Sequence, residues 1–214
     1  MTGAEEARAR ILKAALKHVP DRGWSEPALL AGGAEAGFDA LAVRRAFPGG
    51  GGELLDAFFA ETDRRMETAL ARRRLNDMRV RDRVATAVRV WLEACLPHRK
   101  ALRRAVAAGA LPANAPAALR RLYRTVDAMW RAAGDTATDF SFYTKRALLA
   151  AVYGATLLYW LDDRSEGCAE TWAFLGRRIE DVMRLGRTGS RLTSMVPGLE
   201  RMVAALFARV PRPR

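Results

Sequence analysis

A run of 15 residues without a charged side chain, from Ala147 to Leu161, is the feature that most constrains how this chain can fold. Two acidic residues, Asp162 and Asp163, end the run. A helix that crosses a membrane needs about 20 consecutive apolar residues, so this run is too short to span a bilayer. It therefore predicts a helix that is buried within the protein.

The same run carries small residues at helical spacing. They are Ala147, Ala150, Ala151, Gly154 and Ala155. Small side chains on one helix face let a second helix approach closely, or they leave room for a ligand. The spacing leaves both alternatives open.

Three aromatic residues, Phe140, Phe142 and Tyr143, open this predicted helix. Neighbouring residues on a helix point about 100° apart, so the three rings cannot all face one direction. We expect at least one ring to be exposed, and exposed aromatic side chains commonly anchor protein interfaces. The alternative is that all three rings fill the seam between helices.

Helical periodicity recurs along the chain and strand alternation does not, so the sequence predicts an all-α protein. Thr2 and Glu5 form a capping box that opens a helix to about His18. Ser25 caps the next helix, with Pro27 in its first turn. Further predicted elements are a tight turn at Gly37, a short helix at Asp39–Ala46, a break at Pro48 and Gly49–Gly52, and helices at 53–75, 81–96, 98–108, 115–133, 140–161, 169–185 and 192–210.

The residues from Thr138 to Gly186 resemble the C-terminal domain of a ubiquinone-biosynthesis lipid-binding family, number nine of the coenzyme Q series. The opening Asp139–Arg146 and the block from Thr171 to Leu175 carry the resemblance. The N-terminal third carries a second match, which comprises Ile11–Trp24, Phe47–Gly50, Glu53-Leu54 and Glu61–Arg65. One departure is Phe142, where animal members of the family carry Trp, so a contact at this position is expected to be weaker here.

This resemblance implies a protein without catalytic residues or a cofactor of its own. It would bind an isoprenylated quinone precursor or a phospholipid at the membrane surface. It would then present the precursor to demethoxyubiquinone hydroxylase or a functional equivalent. For partner docking the resemblance points to Asp127, Met129, Phe142, Tyr143 and Arg146. As lipid-binding residues we predict Ala147, Ala151, Gly154, Ala155, Leu158, Trp172, Leu175 and Met183.

The order of elements in the first 75 residues also resembles the layout of TetR-type transcriptional repressors. That layout is helix, helix, glycine turn, short helix, Phe-Pro break and long helix. We therefore expect a TetR-like fold with a helix-turn-helix-like head at 1–50, a helical lipid-binding body at 51–189 and an amphipathic membrane-contact segment at 190–214. The resemblance implies a homodimer formed through the later helices. A ligand-responsive transcriptional repressor is the alternative function.

The distribution of charge bears on that alternative. The formal net charge is +12, but residues 1–70 hold 9 basic and 11 acidic residues, a net charge of −2. Lys and Arg contacts to phosphates supply most non-specific affinity for DNA, so a head with this charge starts at a disadvantage. The short helix Asp39–Ala46 would offer DNA only Asp39 early and Arg44 and Arg45 late. We therefore predict no specific nucleic-acid partner.

Catalytic and metal-binding patterns are sparse. Cys95 and His98 lie three residues apart and could share a metal, but no second pair follows, and a buried thiol with a surface histidine is the alternative. The run Gly49–Gly52 lacks the Gly-Lys-Ser/Thr ending of a phosphate-binding loop and predicts a flexible helix entry. The carboxylate pairs Asp162-Asp163 and Glu180-Asp181 are expected to be solvated helix caps. We predict no catalytic residue, no metal and no cofactor.

The C-terminal segment carries an apolar stripe at three- and four-residue steps. Between Gly186 and Arg214 there are six Arg and one Glu, a net charge of +5. Apolar burial and attraction to anionic lipids add together, so the pattern predicts a helix that lies in a membrane interface. The alternative is a terminal helix packed on the protein. The stripe consists of Leu192, Met195, Val196, Leu199, Met202, Val203, Leu206, Phe207 and Val210.

The first residues and the cysteines predict a location. The start Met1–Glu6 has neither a basic region nor an apolar core of the kind a secretory signal has, and its acidic residues are unlike a transit peptide. Cys95 and Cys168 lie inside helical patterns and suggest no disulfide, which fits a reducing compartment. We therefore expect a bacterial-type cytoplasmic protein that is peripheral on the inner face of the cytoplasmic membrane.

Overall fold

The computed structural model describes residues 3–135 and 140–192, without the side chains of Asn76, residues 140–143 and residues 185–192. All regular elements within these ranges are helical, which confirms the predicted all-α class. Short 3₁₀ helices lie at Leu75–Asp77, Leu96–His98, Pro112–Asn114 and Glu166–Cys168. The α-helices are α1 Gly3–Arg22, α2 Glu26–Glu35, α3 Ala40–Ala46, α4 Gly50–Ala71, α5 Val80–Ala94, α6 Arg99–Gly109, α7 Ala115–Ala132, α8 Phe140–Asp162 and α9 Ala169–Leu192.

The predicted Ser25 cap of the second helix is confirmed, whereas Thr2, which was predicted to cap the first helix, lies outside the described residues. The Ser25 hydroxyl accepts a hydrogen bond from the Ala28 N–H at 3.4 Å, with Pro27 in the first turn of α2. The Gly37 turn has a φ of +83°, a conformation that favours glycine. Helix α1 runs to Arg22 and not to His18, because Pro20 is accommodated within its last turn.

The start of α4 differs from the prediction. The glycine run was expected to be a flexible entry, but α4 begins at Gly50, so Gly51 and Gly52 belong to its first turn. A Cβ atom at Gly51 would lie 2.3 Å from the Trp24 carbonyl oxygen and 2.7 Å from the Ser25 Cα. Glycine at this position therefore permits a close approach of two backbone segments.

The end of α9 also differs, because this helix continues past Gly186 to Leu192. A glycine within a helix costs only about 1 kcal/mol relative to alanine, so Gly186 and Gly189 do not end this long amphipathic helix. Leu192 is thus the last residue of α9 and does not begin a separate helix. The rest of the predicted membrane-contact stripe, from Met195 to Val210, lies outside the described residues.

The chain forms two compact units. The first comprises the described residues up to Arg65 together with Glu93–Arg121, and the second comprises Met66–Leu92 together with the described residues from Leu122 onward. This division does not follow the boundaries predicted at residues 50 and 189, which stay predictions. In the first unit, the Trp24 indole N–H donates to the Ala101 carbonyl at 3.0 Å, and Arg121 pairs with Asp56 at 2.6 Å.

The core of the second unit contains several of its largest side chains. Trp91 and Tyr153 pack edge to face with ring centroids 5.3 Å apart, and Trp160 and Met129 are fully buried. No helix in the described ranges is both long enough and apolar enough to cross a membrane. The uncharged run of α8 supplies much of this core, but not all of its residues are buried.

Candidate functional site

An apolar stripe of α8 lies at the protein surface. Leu148 and Leu158 are 37% and 57% exposed, and Ala151 between them is also exposed. These positions follow the three- and four-residue steps of one helix face. A Cβ atom at Gly154 would meet no other atom within 4 Å, so the structure around this glycine is open. The prediction that the uncharged run is wholly buried is therefore wrong for this face.

Aromatic and charged side chains flank the stripe where α8 meets α9. The Tyr159 ring stacks on Phe174 with centroids 4.6 Å apart, and its hydroxyl donates to the Glu170 carboxylate at 3.2 Å. The Arg178 guanidinium lies 5.3 Å from the centre of the Phe174 ring. A groove of about 580 Å³ beside them has both polar and apolar walls and is lined by Leu158, Tyr159, Asp162, Asp163, Arg164, Ser165 and Glu170.

The predicted lipid-binding residues lie in several environments. Ala151, Leu158 and Met183 are exposed, Ala147, Gly154, Ala155 and Trp172 are half-buried, and Leu175 is buried. The Trp172 indole N–H donates to the Gly167 carbonyl at 2.8 Å, and the Arg89 guanidinium lies 4.9 Å from the Trp172 ring centre. The described residues thus offer an open face on α8 and α9, and the set is not gathered around one enclosed cavity.

A network of buried ion pairs holds the start of α8. Arg146 is only 3% exposed, and its guanidinium pairs with Asp127 at 2.7 Å and with Asp135 at 3.3 Å. Lys145 pairs with the second oxygen of Asp135 at 2.8 Å, and Arg131 pairs with the second oxygen of Asp127 at 2.7 Å. The network therefore joins the end of α7 to the first turns of α8.

The burial of this network corrects the predicted docking patch. Asp127 and Arg146 were expected at the surface beside Phe142, but both are buried. Their ion pair permits this burial, because each side chain neutralises the charge of the other. Met129 was expected there as well, and it is fully buried in the core. The side chains of Phe142 and Tyr143 lie outside the described part of the chain. Sequence reasoning missed Asp135, because no helical spacing links it to Asp127 and Arg146.

Asp163 organises the connection between α8 and α9. It was expected to be a solvated cap, but it is 6% exposed. Its carboxylate accepts hydrogen bonds from the N–H and hydroxyl of Ser165, at 2.7 and 2.6 Å, and from those of Thr171, at 2.9 and 2.5 Å. Burial alone would raise the pKa of Asp163, but these hydrogen bonds outweigh burial and hold the pKa well below its usual range.

Replacing Asp163 with Asn is expected to destabilise the folded protein by about 2 kcal/mol at neutral pH, because an amide cannot accept all four hydrogen bonds. The folded pKa is lowered, so the stabilisation by Asp163 is present above its unfolded value near 3.8 and is lost as the pH falls towards the folded pKa. Urea unfolding at several pH values would measure both effects. The exposed neighbour variant Asp162→Asn is the control, and an equal loss in both variants would contradict this role.

The possible metal pair has no support in the described residues. Cys95 is fully buried, and burial raises the pKa of its thiol, which keeps it protonated. His98 was expected at the surface but is half-buried, with its ring edge to face on Phe58 at 6.0 Å. Burial lowers the pKa of His98, and Arg65 adds to this effect. Across residues 3–135 and 140–192 no group of three or more His, Cys, Asp or Glu side chains could hold a metal.

The surface of α3 offers little to DNA. Asp39 is the N-cap, and its carboxylate accepts from the Ala42 N–H at 2.7 Å. The Arg44 guanidinium pairs with Glu26 at 2.9 Å. Leu41 is 58% exposed on the same helix. Two of the three polar side chains expected to face DNA are therefore engaged within the protein.

The fold places this chain among the TetR-like all-α proteins. A crystal structure of the TetR transcriptional regulator from Nitrosomonas europaea ATCC 19718 is similar, with a TM-score of 0.65 and 24% identity, over 81% of this chain and 95% of that chain. Identity at this level shows the fold alone, and it confirms the predicted TetR-like class.

Sequence comparison identifies the family within that class. Residues 115–186 match the COQ9 family model, and residues 5–35 match the model of the ubiquinone biosynthesis protein COQ9, N-terminal domain. The mitochondrial ubiquinone biosynthesis protein COQ9 of Rattus norvegicus is 36% identical over 89% of this chain. Its relative from Schizosaccharomyces pombe is 30% identical over 83% of this chain and 70% of its own length. The chain belongs to the COQ9 family, as its sequence predicted.

Two further facts follow from these comparisons. The chain spans only 63% of the rat protein's length, although it spans 67% of the Xenopus laevis COQ9-B protein, to which it is 34% identical. The expected bacterial cytoplasmic location is wrong, because the relatives from rat, frog and fission yeast are all named mitochondrial proteins.

Proposed function

We propose that this chain is a non-catalytic accessory protein of ubiquinone biosynthesis that binds an isoprenylated aromatic precursor and presents its ring to a hydroxylase. Membership of the COQ9 family supports the role in ubiquinone biosynthesis. The observation that carries lipid binding is the exposed apolar stripe of α8, since exposed contiguous apolar surface commonly marks an interaction site. An isoprenoid tail is apolar along its length and complements such a stripe.

The lipid tail would lie along Leu148, Ala151 and Leu158, where the open space at Gly154 admits a methyl branch. Met183 of α9 is 45% exposed and would extend the contact. The stacked rings of Tyr159 and Phe174 are suited to contact the aromatic head of the precursor, because offset stacking is favourable between aromatic groups. No group on this face is needed for catalysis in this role.

Replacing Leu158 with Asp is expected to remove most of the prenylated lipid that copurifies with the protein. Burying a leucine side chain is worth about 1.5–3 kcal/mol, so its loss corresponds to a reduction of roughly tenfold or more. Mass spectrometry of an organic extract of the purified protein would measure the retained lipid. Leu111→Asp is the matched control, because Leu111 is also 57% exposed but belongs to the first unit. Retention of the lipid by the Leu158 variant would contradict the proposal.

The protein would reach its ligand at a membrane. The stripe from Leu192 to Val210 lies within the segment Gly186–Arg214, which has a net charge of +5, and this combination supports contact with an anionic interface. Since α9 extends to Leu192, a shortened chain that ends at this residue keeps α9 complete. It should bind anionic vesicles more weakly than the full chain, and equal binding would exclude the segment as an anchor.

A homodimer through α8 and α9 is also part of the proposal. Ala173 and Gly176 are small and exposed on α9, and a Cβ atom at Gly176 would meet nothing within 4 Å. Small residues allow helices of two copies to approach closely. Light scattering of the Leu158→Asp variant distinguishes lipid binding from dimer formation on this surface. A variant that is monomeric but keeps its lipid would assign Leu158 to the dimer interface.

Docking of the hydroxylase is proposed at Phe142, in the aromatic segment that opens α8. The buried network of Asp127, Asp135 and Arg146 supports this placement, since it holds the following turn of α8 against α7. These three residues would position the segment without contacting the partner. The repressor alternative is less well supported, because Asp39 and Arg44 of the α3 region already have partners within the protein.

A further inference from the structure

A strongly basic segment follows α4. Residues 72–83 contain six Arg and two Asp, a net charge of +4 within twelve residues. Arg72, Arg73 and Arg74 are all exposed. Beside them lies a cavity of about 420 Å³ within the second unit, formed where α4 and α7 end. Its lining residues are Glu67, Leu70, Ala71, Arg73, Arg74, Leu75, Arg131, Ala132, Ala133 and Gly134.

The walls of this cavity are held in place by defined contacts. Arg83 donates from Nε to the Met78 carbonyl at 2.9 Å and from Nη1 to the Ala133 carbonyl at 3.4 Å. These bonds tie the segment after α4 to the end of α7. Gly134 has a φ of +85° and makes a turn at the rim of the cavity, directly after α7. Leu70 and Ala133 are almost fully buried and form an apolar floor.

The charge at the rim exceeds what the protein itself neutralises. Arg131 is engaged, because it pairs with Asp127 at 2.7 Å and with Glu67 at 3.5 Å. Neither Arg73 nor Arg74 forms an ion pair with a carboxylate within the described ranges. The ends of α4 and α7 each carry a partial charge of about −0.5, so together they offset roughly one of these two cations. A net attraction for an anion remains.

We propose that this cavity binds the phosphate headgroup of an anionic phospholipid at a membrane surface. A guanidinium binds phosphate through paired hydrogen bonds, and two of them stand at the rim. The apolar floor suits the first methylenes of a lipid. Val80, which is 56% exposed between Arg79 and Arg81, adds an apolar side chain beside the basic ones. This combination of apolar and basic groups favours an anionic interface.

The same features disfavour a nucleic acid as the ligand. Proteins that bind single strands combine basic grooves with aromatic platforms for stacking bases, and the residues lining this cavity include no aromatic side chain. The volume lies within the range of about 300–1,000 Å³ that is usual for small-ligand pockets. The site adds a second membrane contact to the one proposed for the stripe from Leu192 to Val210, and it does not depend on the precursor-binding face of α8.

Titration of the full chain with vesicles of phosphatidylcholine containing phosphatidylglycerol tests this site. Each basic side chain near a membrane surface contributes about 1 kcal/mol, so Arg73→Gln with Arg74→Gln should weaken binding about thirtyfold. The matched control is Arg120→Gln with Arg124→Gln, which removes the same charge from exposed positions on α7. We expect the control pair to change binding less than threefold, and pure phosphatidylcholine vesicles to bind neither variant nor the parent protein tightly.

Three outcomes would overturn the proposal. Equal weakening by both pairs would show that bulk charge, and not the cavity, attracts the membrane. Unchanged vesicle binding in the Arg73/Arg74 variant would exclude these residues as headgroup ligands. A loss confined to binding of a short DNA duplex would assign the site to nucleic acid instead. Lipid extraction tests the α8 face independently, so the two proposals can fail separately.

Discussion

Replacing Gly51 with Ala is expected to destabilise the first unit by about 3 kcal/mol, because overpacking costs about 1–3 kcal/mol and the atoms met here belong to the backbone. The added Cβ would lie 2.3 Å from the Trp24 carbonyl oxygen, 2.6 Å from the Trp24 carbonyl carbon and 2.7 Å from the Ser25 Cα. All three are backbone atoms, so no side-chain rotation relieves the clash. The start of α4 would have to move away from the turn before α2.

The neighbouring glycine provides a matched control. A Cβ at Gly52 would meet nothing within 4 Å, and Gly52 lies in the same helical turn. Alanine there should stabilise the protein by about 0.5–1 kcal/mol, since it lowers the entropy lost on folding. Urea unfolding monitored by tryptophan fluorescence would compare the two variants with the parent. Equal effects at both positions would show that the Gly51 approach is not required.

Local signals in the sequence predicted the helix boundaries of the first unit well. The side chains of Ser25 and Asp39 each accept a hydrogen bond from the backbone N–H three residues later and so cap their helices. Gly37 makes the turn between these two helices. Each of these interactions spans at most a few residues, so residue type and order determine it. The same reasoning placed α5 to α8 within a few residues of their observed bounds.

Contacts between distant residues could not be predicted in the same way. The sequence predicted Gly51 to be part of a flexible run. The close approach at Gly51 could not be predicted, because the backbone of Trp24 that it contacts lies 27 residues earlier in the sequence. The sequence predicted Asp163 to be a solvated cap, because its partner Thr171 reaches it only when α9 packs back against the end of α8. The type of these residues was informative, but their partners depend on tertiary packing.

The orientation of α8 shows a different limit. A run of 15 uncharged residues has no polar face, so periodicity does not indicate which side meets solvent. Leu148 is 37% exposed and the adjacent Leu149 only 3%. The sequence thus predicted an apolar helix correctly, whereas the exposed stripe and its use as a candidate binding face required the packed structure.

Replacing Arg146 with Ala is expected to destabilise the second unit by about 3–5 kcal/mol, because removing one partner of a buried ion pair leaves the other charge uncompensated. Asp127 and Asp135 would both lose their contact with the guanidinium. Arg131→Ala is the control, since Arg131 binds the same Asp127 carboxylate but is 53% exposed, and exposed pairs are worth at most about 1 kcal/mol. Urea unfolding of the two variants measures the difference, and equal losses would contradict the role of burial.

The double variant Asp127→Ala with Arg146→Ala should cost less than the sum of the single changes, because residues in direct contact are energetically coupled. Pull-down of the hydroxylase then separates positioning from contact. Phe142→Lys is expected to lower partner affinity about thirtyfold while changing stability by no more than roughly 0.5 kcal/mol. Arg146→Ala should lower both, since its buried side chain acts on the partner only through the start of α8. If Arg146→Ala were destabilised yet bound the partner normally, the network would support the fold of the second unit without positioning the docking segment.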